Sequence, residues 1–217
     1  AAGRENLSAG DFGEPKPSEQ TVEDGDYYVV DDLKEGFLEF SDGMIFLDPA
    51  ESPLLEIGGI PEPSENNGEY YRLDTDRKEH YSYFNEAYAN DPAGGTIRFR
   101  TNAESISVEL AMWLVPDFPH ISDRGAFGID IYVGTGTDRR YCGDPMQFMA
   151  DSEELSEVIE LPGGYQEVMI ELPQYAGVSD IKIGFPEGSL LACPTKRSHG
   201  PILFYGSSIT QGMSTGR

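Results

Sequence analysis

Apolar and polar residues alternate with a period of two along most of this chain. Ile97 and Phe99 interleave with Arg98 and Arg100, and Ile106, Val108, Leu110 and Met112 interleave with Ser105, Ser107, Glu109 and Ala111. The same rhythm returns in Phe127, Ile129, Ile131 and Val133, in Val168, Ile170 and Leu172, and in Ile181, Ile183 and Phe185. Successive side chains of a strand point to opposite faces, so this period predicts half-buried β-strands. Shorter strands are expected at Tyr27 to Val30, Phe37 to Phe40, Met44 to Leu47, Leu54 to Ile57 and Tyr70 to Leu73. Turn chemistry separates them at Asn66-Asn67-Gly68, Pro92-Ala93-Gly94-Gly95 and Pro162-Gly163-Gly164. Only Phe84 to Ala89 and Asp151 to Leu155 suggest brief helical turns. The pattern predicts an all-β, jelly-roll-like β-sandwich over residues 27–195, without internal repeats. Residues 1–26, rich in Gly, Pro, Ser and acid, read as a flexible acidic arm.

The 217 residues include fifteen Lys and Arg against thirty-nine Asp and Glu, a formal charge of −24. Such a charge repels nucleic acid phosphates and anionic lipid headgroups, so neither is expected as a partner. No apolar run reaches the length of a membrane-spanning helix. Cys142 and Cys193 stand too far apart for a metal-type pair, and two buried thiols are at least as compatible with the sequence as a disulfide. The beginning, Ala1-Ala2-Gly3-Arg4, reads as trimmed or engineered. The compartment stays open: the cytoplasm is slightly favoured, and secretion is compatible with prior removal of a signal peptide.

Chemistry concentrates near the end of the chain. Pro201-Ile202-Leu203-Phe204-Tyr205 reads as a buried strand, followed at once by Gly206-Ser207-Ser208-Ile209-Thr210-Gln211-Gly212. A strand ending in a small-residue turn that carries a serine presents the hydroxyl at a sheet's C-terminal edge, where nucleophilic serines sit. Gly206 allows a tight turn, Ile209 to Gln211 can begin a helix, and Gly212 permits close approach by another loop. Two ordinary serines in a turn are the alternative. Histidine offers little help. Asp117-Phe118-Pro119-His120 has base-like spacing but lies in an irregular loop; His199 is separated from Ser208 by a strand spanning roughly 17 Å; His80 reads as a surface residue.

Four segments together resemble the N-terminal region of GDSL-type, or SGNH, esterases. Ala93 to Asn102 is similar to that family's Gly-then-strand signature, Gly128-Ile129-Asp130-Ile131-Tyr132 to its Gly-x-Asp-Leu-Tyr element, Leu172 to Val178 to its Leu-Pro-Leu-Tyr turn, and Pro201 to Gly212 to its first catalytic block. The resemblance implies an N-terminal β-sandwich followed by a flavodoxin-like α/β hydrolase domain, of which residues 196–217 would be the first strand and nucleophile turn. It implies Ser208 as nucleophile, with its own amide as one oxyanion donor. The blocks that supply the other oxyanion donors and an Asp-x-x-His base would lie beyond Arg217, so this chain alone is expected to be inactive.

The expected partners are therefore a C-terminal catalytic domain and an ester substrate, with an acylated carbohydrate as one option. No cofactor or metal is called for. Acidic clusters such as Asp24, Asp26, Asp31 and Asp32 could offer hard oxygen ligands to calcium, but a solvated edge is the better reading. Asp130 and Tyr132 share a strand face; they suit either an interdomain or ligand contact or, preferably, an internal hydrogen bond. His120 is a further candidate for facing the catalytic domain. Two rival functions stay open: a carbohydrate-binding module using aromatics such as Tyr70, Tyr71, Tyr81, Tyr83 and Trp113, and an oligomerising platform. The apolar strand 202–205, if orphaned, is expected to dock on its own sandwich, pair with a second copy or become disordered, with pairing preferred.

Overall fold

The computed structural model describes residues 26–33, 35–66, 68–115, 117–143, 154–200, 202–204 and 206–212. Residues 1–25 of the expected arm (1–26), the turn residue Asn67, the prolines 116 and 201, Tyr205 and residues 151–153 lie outside these.

Twelve strands form among the described residues: β1 (Tyr28–Val29), β2 (Phe37–Ser41), β3 (Met44–Leu47), β4 (Glu56–Gly58), β5 (Thr96–Thr101), β6 (Ser105–Leu114), β7 (Asp130–Val133), β8 (Arg140–Gly143), β9 (Glu154–Glu160), β10 (Gln166–Glu171), β11 (Gly177–Pro186) and β12 (Leu190–Ala192). Three short α-helices accompany them among the described residues: α1 (Tyr83–Ala89), α2 (Asp123–Phe127) and α3 (Ser208–Gln211). Serine caps start the first two. Ser82 Oγ accepts from the Asn85 amide, and Ser122 Oγ accepts from the Gly125 amide.

All pairings are antiparallel and build two sheets. One runs β1-β12-β5-β10-β7-β8, with β4 added beside β5; the other runs β2-β3-β11-β6-β9. A single edge of β5 is divided between two partners, with β4 opposite Thr96 to Arg98 and β12 opposite Arg100 and Thr101. The alternation seen in the sequence explains the layering. Ile97, Phe99, Ile131, Val168 and Ile170 of the first sheet meet Ile106, Val108, Ile181, Ile183 and Phe185 of the second in one buried core. Phe99 and Phe185, both fully buried, meet edge to face across it, with centroids 5.3 Å apart. The all-β expectation holds as two antiparallel sheets around a shared core.

Four local expectations need correction, the first being Phe127, which ends α2 while its expected strand begins only at Asp130. Tyr70 to Leu73 is not a strand. A buried Asn66 side chain organises that loop instead, accepting from the Thr75 amide and hydroxyl and donating to Glu69 O and Leu73 O. Leu155, expected to close a helical turn, lies within β9 opposite Leu110. Its buried companion Ile159 is four residues on, a spacing that suits one face of a helix and one face of a strand alike. Finally, Ile202, Leu203 and Phe204 are outside any sheet and 77%, 89% and 78% exposed, so this segment does not dock on its own sandwich.

Candidate functional site

One end of the sandwich gathers most of the chemistry. The first residues of β5, β7 and β11 and the last residues of β6 and β10 lie there, because Glu171 sits opposite both Thr96 and Asp130, and Gly177 opposite Leu114. The loops between these strands are cross-linked. Leu172 N donates to Gly95 O, and Tyr175 N donates to Ala126 O at the end of α2. The buried Tyr175 ring packs edge to face on Phe118, 5.4 Å between centroids, and Phe118 in turn meets His120 at 6.1 Å. His120 itself is exposed.

The serine turn is attached to this end. Gln211 Nε2 donates to Gln174 O at 2.8 Å, directly beside Tyr175. Within the turn, Ser207 O accepts from the Thr210 and Gln211 amides, which starts α3 at Ser208, one residue before the Ile209 to Gln211 stretch that the sequence suggests. A Cβ placed on Gly206 would lie 2.8 Å from the Thr210 Cβ, so a larger residue would push the first helical turn away. Gly212 ends α3 with φ +88°, a left-handed conformation that glycine adopts without strain. The Ser208 side chain lies outside the described atoms. Of the histidines, His199 and His80 are also exposed, and His80 Nε2 lies 3.3 Å from the neighbouring Glu79 carboxylate.

Asp130 and Tyr132 are half-buried on the outer face of the first sheet, where the Tyr132 ring meets Tyr141 of the neighbouring β8 at 5.8 Å. The aromatics considered for sugar binding divide sharply. Tyr70 and Tyr71 are buried, whereas Tyr83 is 80% and Trp113 43% exposed; Phe84 and Tyr88 of α1 are exposed as well.

Two clusters went unnoticed in the sequence. Asp91, only 5% exposed, lies beside Arg72, whose Nη2 is 3.2 Å from Asp91 Oδ1 yet not directed for a hydrogen bond to it. Burial pushes the Asp91 carboxyl up to about 6, with Arg72 and the Ala93 amide opposing the rise. The same guanidinium donates to Tyr88 O, and the Arg72 amide donates to Ala89 O, so α1 is tied to this pair. The hydroxyl of Tyr175 is buried without a hydrogen-bond partner among the described residues.

The second cluster lies on the outer face of the first sheet. Arg98 Nη2 meets Glu167 Oε1 at 2.7 Å, and Arg98 Nη1 meets Glu56 Oε1 at 2.8 Å. Over this pair passes the segment that follows β12. Arg100 Nε donates to Cys193 O, Arg98 Nη2 donates to Thr195 O, and the Thr195 amide donates to Glu167 Oε2. The only sequence signal was Arg98 alternating with core residues, which reads equally as a solvent-facing strand.

Comparison with known proteins adds to this geometry. Residues 44–191 match the family described as the N-terminus of SGNH-hydrolase-type esterases, named for its Gly-x-Asp-Leu-Tyr element. No curated protein matches the chain in sequence. Among solved structures, a protein described as a GDSL-like lipase from Bacteroides ovatus ATCC 8483 superposes with TM-score 0.67 at 19% identity, over 78% of this chain and 49% of that one. The salicylyl-acyltransferase SsfX3 from a tetracycline biosynthetic pathway superposes with TM-score 0.55 at 16% identity, over 73% of this chain and 44% of that one. The chain thus resembles both in fold and aligns with about half the length of each.

Proposed function

Because the chain belongs to the family formed by the N-terminal regions of SGNH-hydrolase-type esterases, we propose that it is the accessory sandwich and nucleophile turn of a serine-dependent ester hydrolase or acyltransferase. Ser208 attacks the acyl carbonyl, and its own amide at the start of α3 is one donor to the oxyanion. Gly206 and Gly212 shape the turn on either side. The remaining donors and the histidine base come from a flavodoxin-like α/β domain that continues beyond Arg217. That domain's parallel sheet takes up Ile202, Leu203 and Phe204, which are otherwise exposed. On this reading the sandwich has a jelly-roll connectivity and serves as a platform, with His120 facing the catalytic domain.

The observation that carries the proposal is the coincidence of the family match with a helix that begins at Ser208 and is held to the sandwich through Gln211. An acylated carbohydrate is one substrate class that this reading admits, because Tyr83, Phe84 and Trp113 are exposed aromatics. The test uses aryl-ester hydrolysis. In the protein continuing through the α/β domain, Ser208→Ala should abolish turnover and leave folding intact, while the 217-residue chain should show no serine-dependent rate, since a hydroxyl without a base is a poor nucleophile. Retained activity in the extended variant removes Ser208 from the mechanism.

A further inference from the structure

We infer that Arg98 and Glu167 form a buried latch whose role is to set the position of the serine turn, making them positioning residues for the reaction and Thr195 the point at which they grip the chain. The inference rests on the proposed role of Ser208, but the latch itself is read from geometry alone.

The segment from Cys193 to Thr195 lies over the outer face of the first sheet beyond the end of β12. It is held by side chains in place of a neighbouring strand. Glu167 divides its carboxylate: Oε1 receives two guanidinium donors of Arg98, at 2.7 and 3.3 Å, while Oε2 receives the Thr195 amide at 2.9 Å. Arg98 returns the contact by donating to Thr195 O at 2.9 Å. Both backbone groups of one residue are therefore gripped by the two halves of an ion pair, and both side chains are 3–4% exposed.

A buried pair of this kind is a poor way to gain stability, because desolvation offsets most of the attraction, whereas it is an effective way to specify one arrangement. Here the arrangement specified is the exit direction of the chain. From Thr195 the polypeptide passes Arg197, whose guanidinium lies against Gly58 of β4, and reaches Gln211, which is fastened to Gln174. The chain is thus gripped at Thr195, twelve residues before Ser207, and again after the serine turn at Gln211. Displacement of a reacting group by about 1 Å costs on the order of a hundredfold in rate, so an anchor of this sort bears on turnover even without touching substrate.

Two variants separate positioning from simple stability. Thr195→Pro removes the amide donor to Glu167, together with the threonine side chain, while keeping both members of the ion pair; Glu167→Gln keeps the shape of the side chain but cannot accept from both partners as the carboxylate does. In the 217-residue chain, each should raise the rate of trypsin cleavage after Lys196 and Arg197 and the hydrogen exchange of residues 193–200, roughly tenfold or more. Exchange in β5 and β10 of Thr195→Pro should stay as in the parent. In the extended protein, Thr195→Pro should lower kcat about ten- to a hundredfold with KM little changed. Cleavage and exchange equal to the parent in Thr195→Pro would refute the latch, and a loosened segment with unaltered kcat would refute its positioning role. Should Ser208→Ala stay active, the nucleophile assignment fails while the cleavage result still judges the latch.

Discussion

The side-chain amide of Gln211 reaches the backbone carbonyl of Gln174 at 2.8 Å, joining the helix that starts at Ser208 to the turn between β10 and β11. Gln174 is followed by Tyr175, whose amide is held by Ala126 and whose ring is buried against Phe118. The turn that receives Gln211 is therefore stiff, and stiffness is what makes it useful as an anchor for a short exposed helix.

Replacing Gln211 by Ala should free α3 while sparing the sandwich. A four-residue helix has almost no stability of its own, so loss of one tertiary hydrogen bond, worth about 1 kcal/mol, is enough to melt it. Hydrogen exchange over residues 206–212 should rise several-fold, with the melting temperature unchanged within a degree or two. Unchanged exchange would mean that α3 is held by something other than Gln211.

The sandwich core offers a second expectation. Phe185 is fully buried and its ring meets Phe99 from the opposite sheet. Phe185→Ala would leave a cavity between the layers and should cost about 3–5 kcal/mol in denaturant unfolding, whereas Phe185→Leu should cost considerably less. A loss under 1 kcal/mol for the alanine variant would contradict a single shared core.

The period-two pattern made the inner faces of β5, β6, β7, β10 and β11 legible, because a core between two sheets demands apolar residues at every second position. The outer face is another matter. Arg98 looked like a solvated residue, and it is buried only because chain almost a hundred residues later crosses over it. Nothing in the local pattern reports such a crossing. Asp91 was missed for the same reason, as its partner Arg72 and the loops that cover it come from separate parts of the chain. Tyr70 and Leu155 were misplaced because their spacing serves more than one element. The serine turn, by contrast, was legible, since Gly206 and Gly212 permit a close approach and a left-handed backbone that other residues resist.

Cys142 and Cys193 should both titrate as thiols. No disulfide joins them. Cys142 is in β8 at one edge of the first sheet, and Cys193 follows β12, with β5, β10 and β7 between those two strands. Four strand spacings amount to about 19 Å, far beyond the roughly 7 Å that a disulfide can bridge. Two equivalents of thiol in denaturant, before any reductant is added, are expected; one disulfide and no thiol would show that the sheet order is wrong.

Asp91 predicts an unusual pH response. Its folded carboxyl, pushed up by burial to about 6, lies above the ordinary value of 3.8. Between those values the folded state holds a proton that the unfolded chain has released, so this residue makes stability rise as pH falls from about 7 towards 4. The gain is on the order of 2–3 kcal/mol, the attraction to Arg72 being already contained in the shifted value. Asp91→Asn keeps the shape and removes the titration. Urea unfolding at pH 7.5 should therefore find the variant more stable than the parent, with the difference shrinking at pH 4.5. Because every other carboxylate is common to both proteins, the comparison isolates Asp91. A variant less stable than the parent at pH 7.5 would mean that the attraction to Arg72, 3.2 Å away, outweighs the cost of burial.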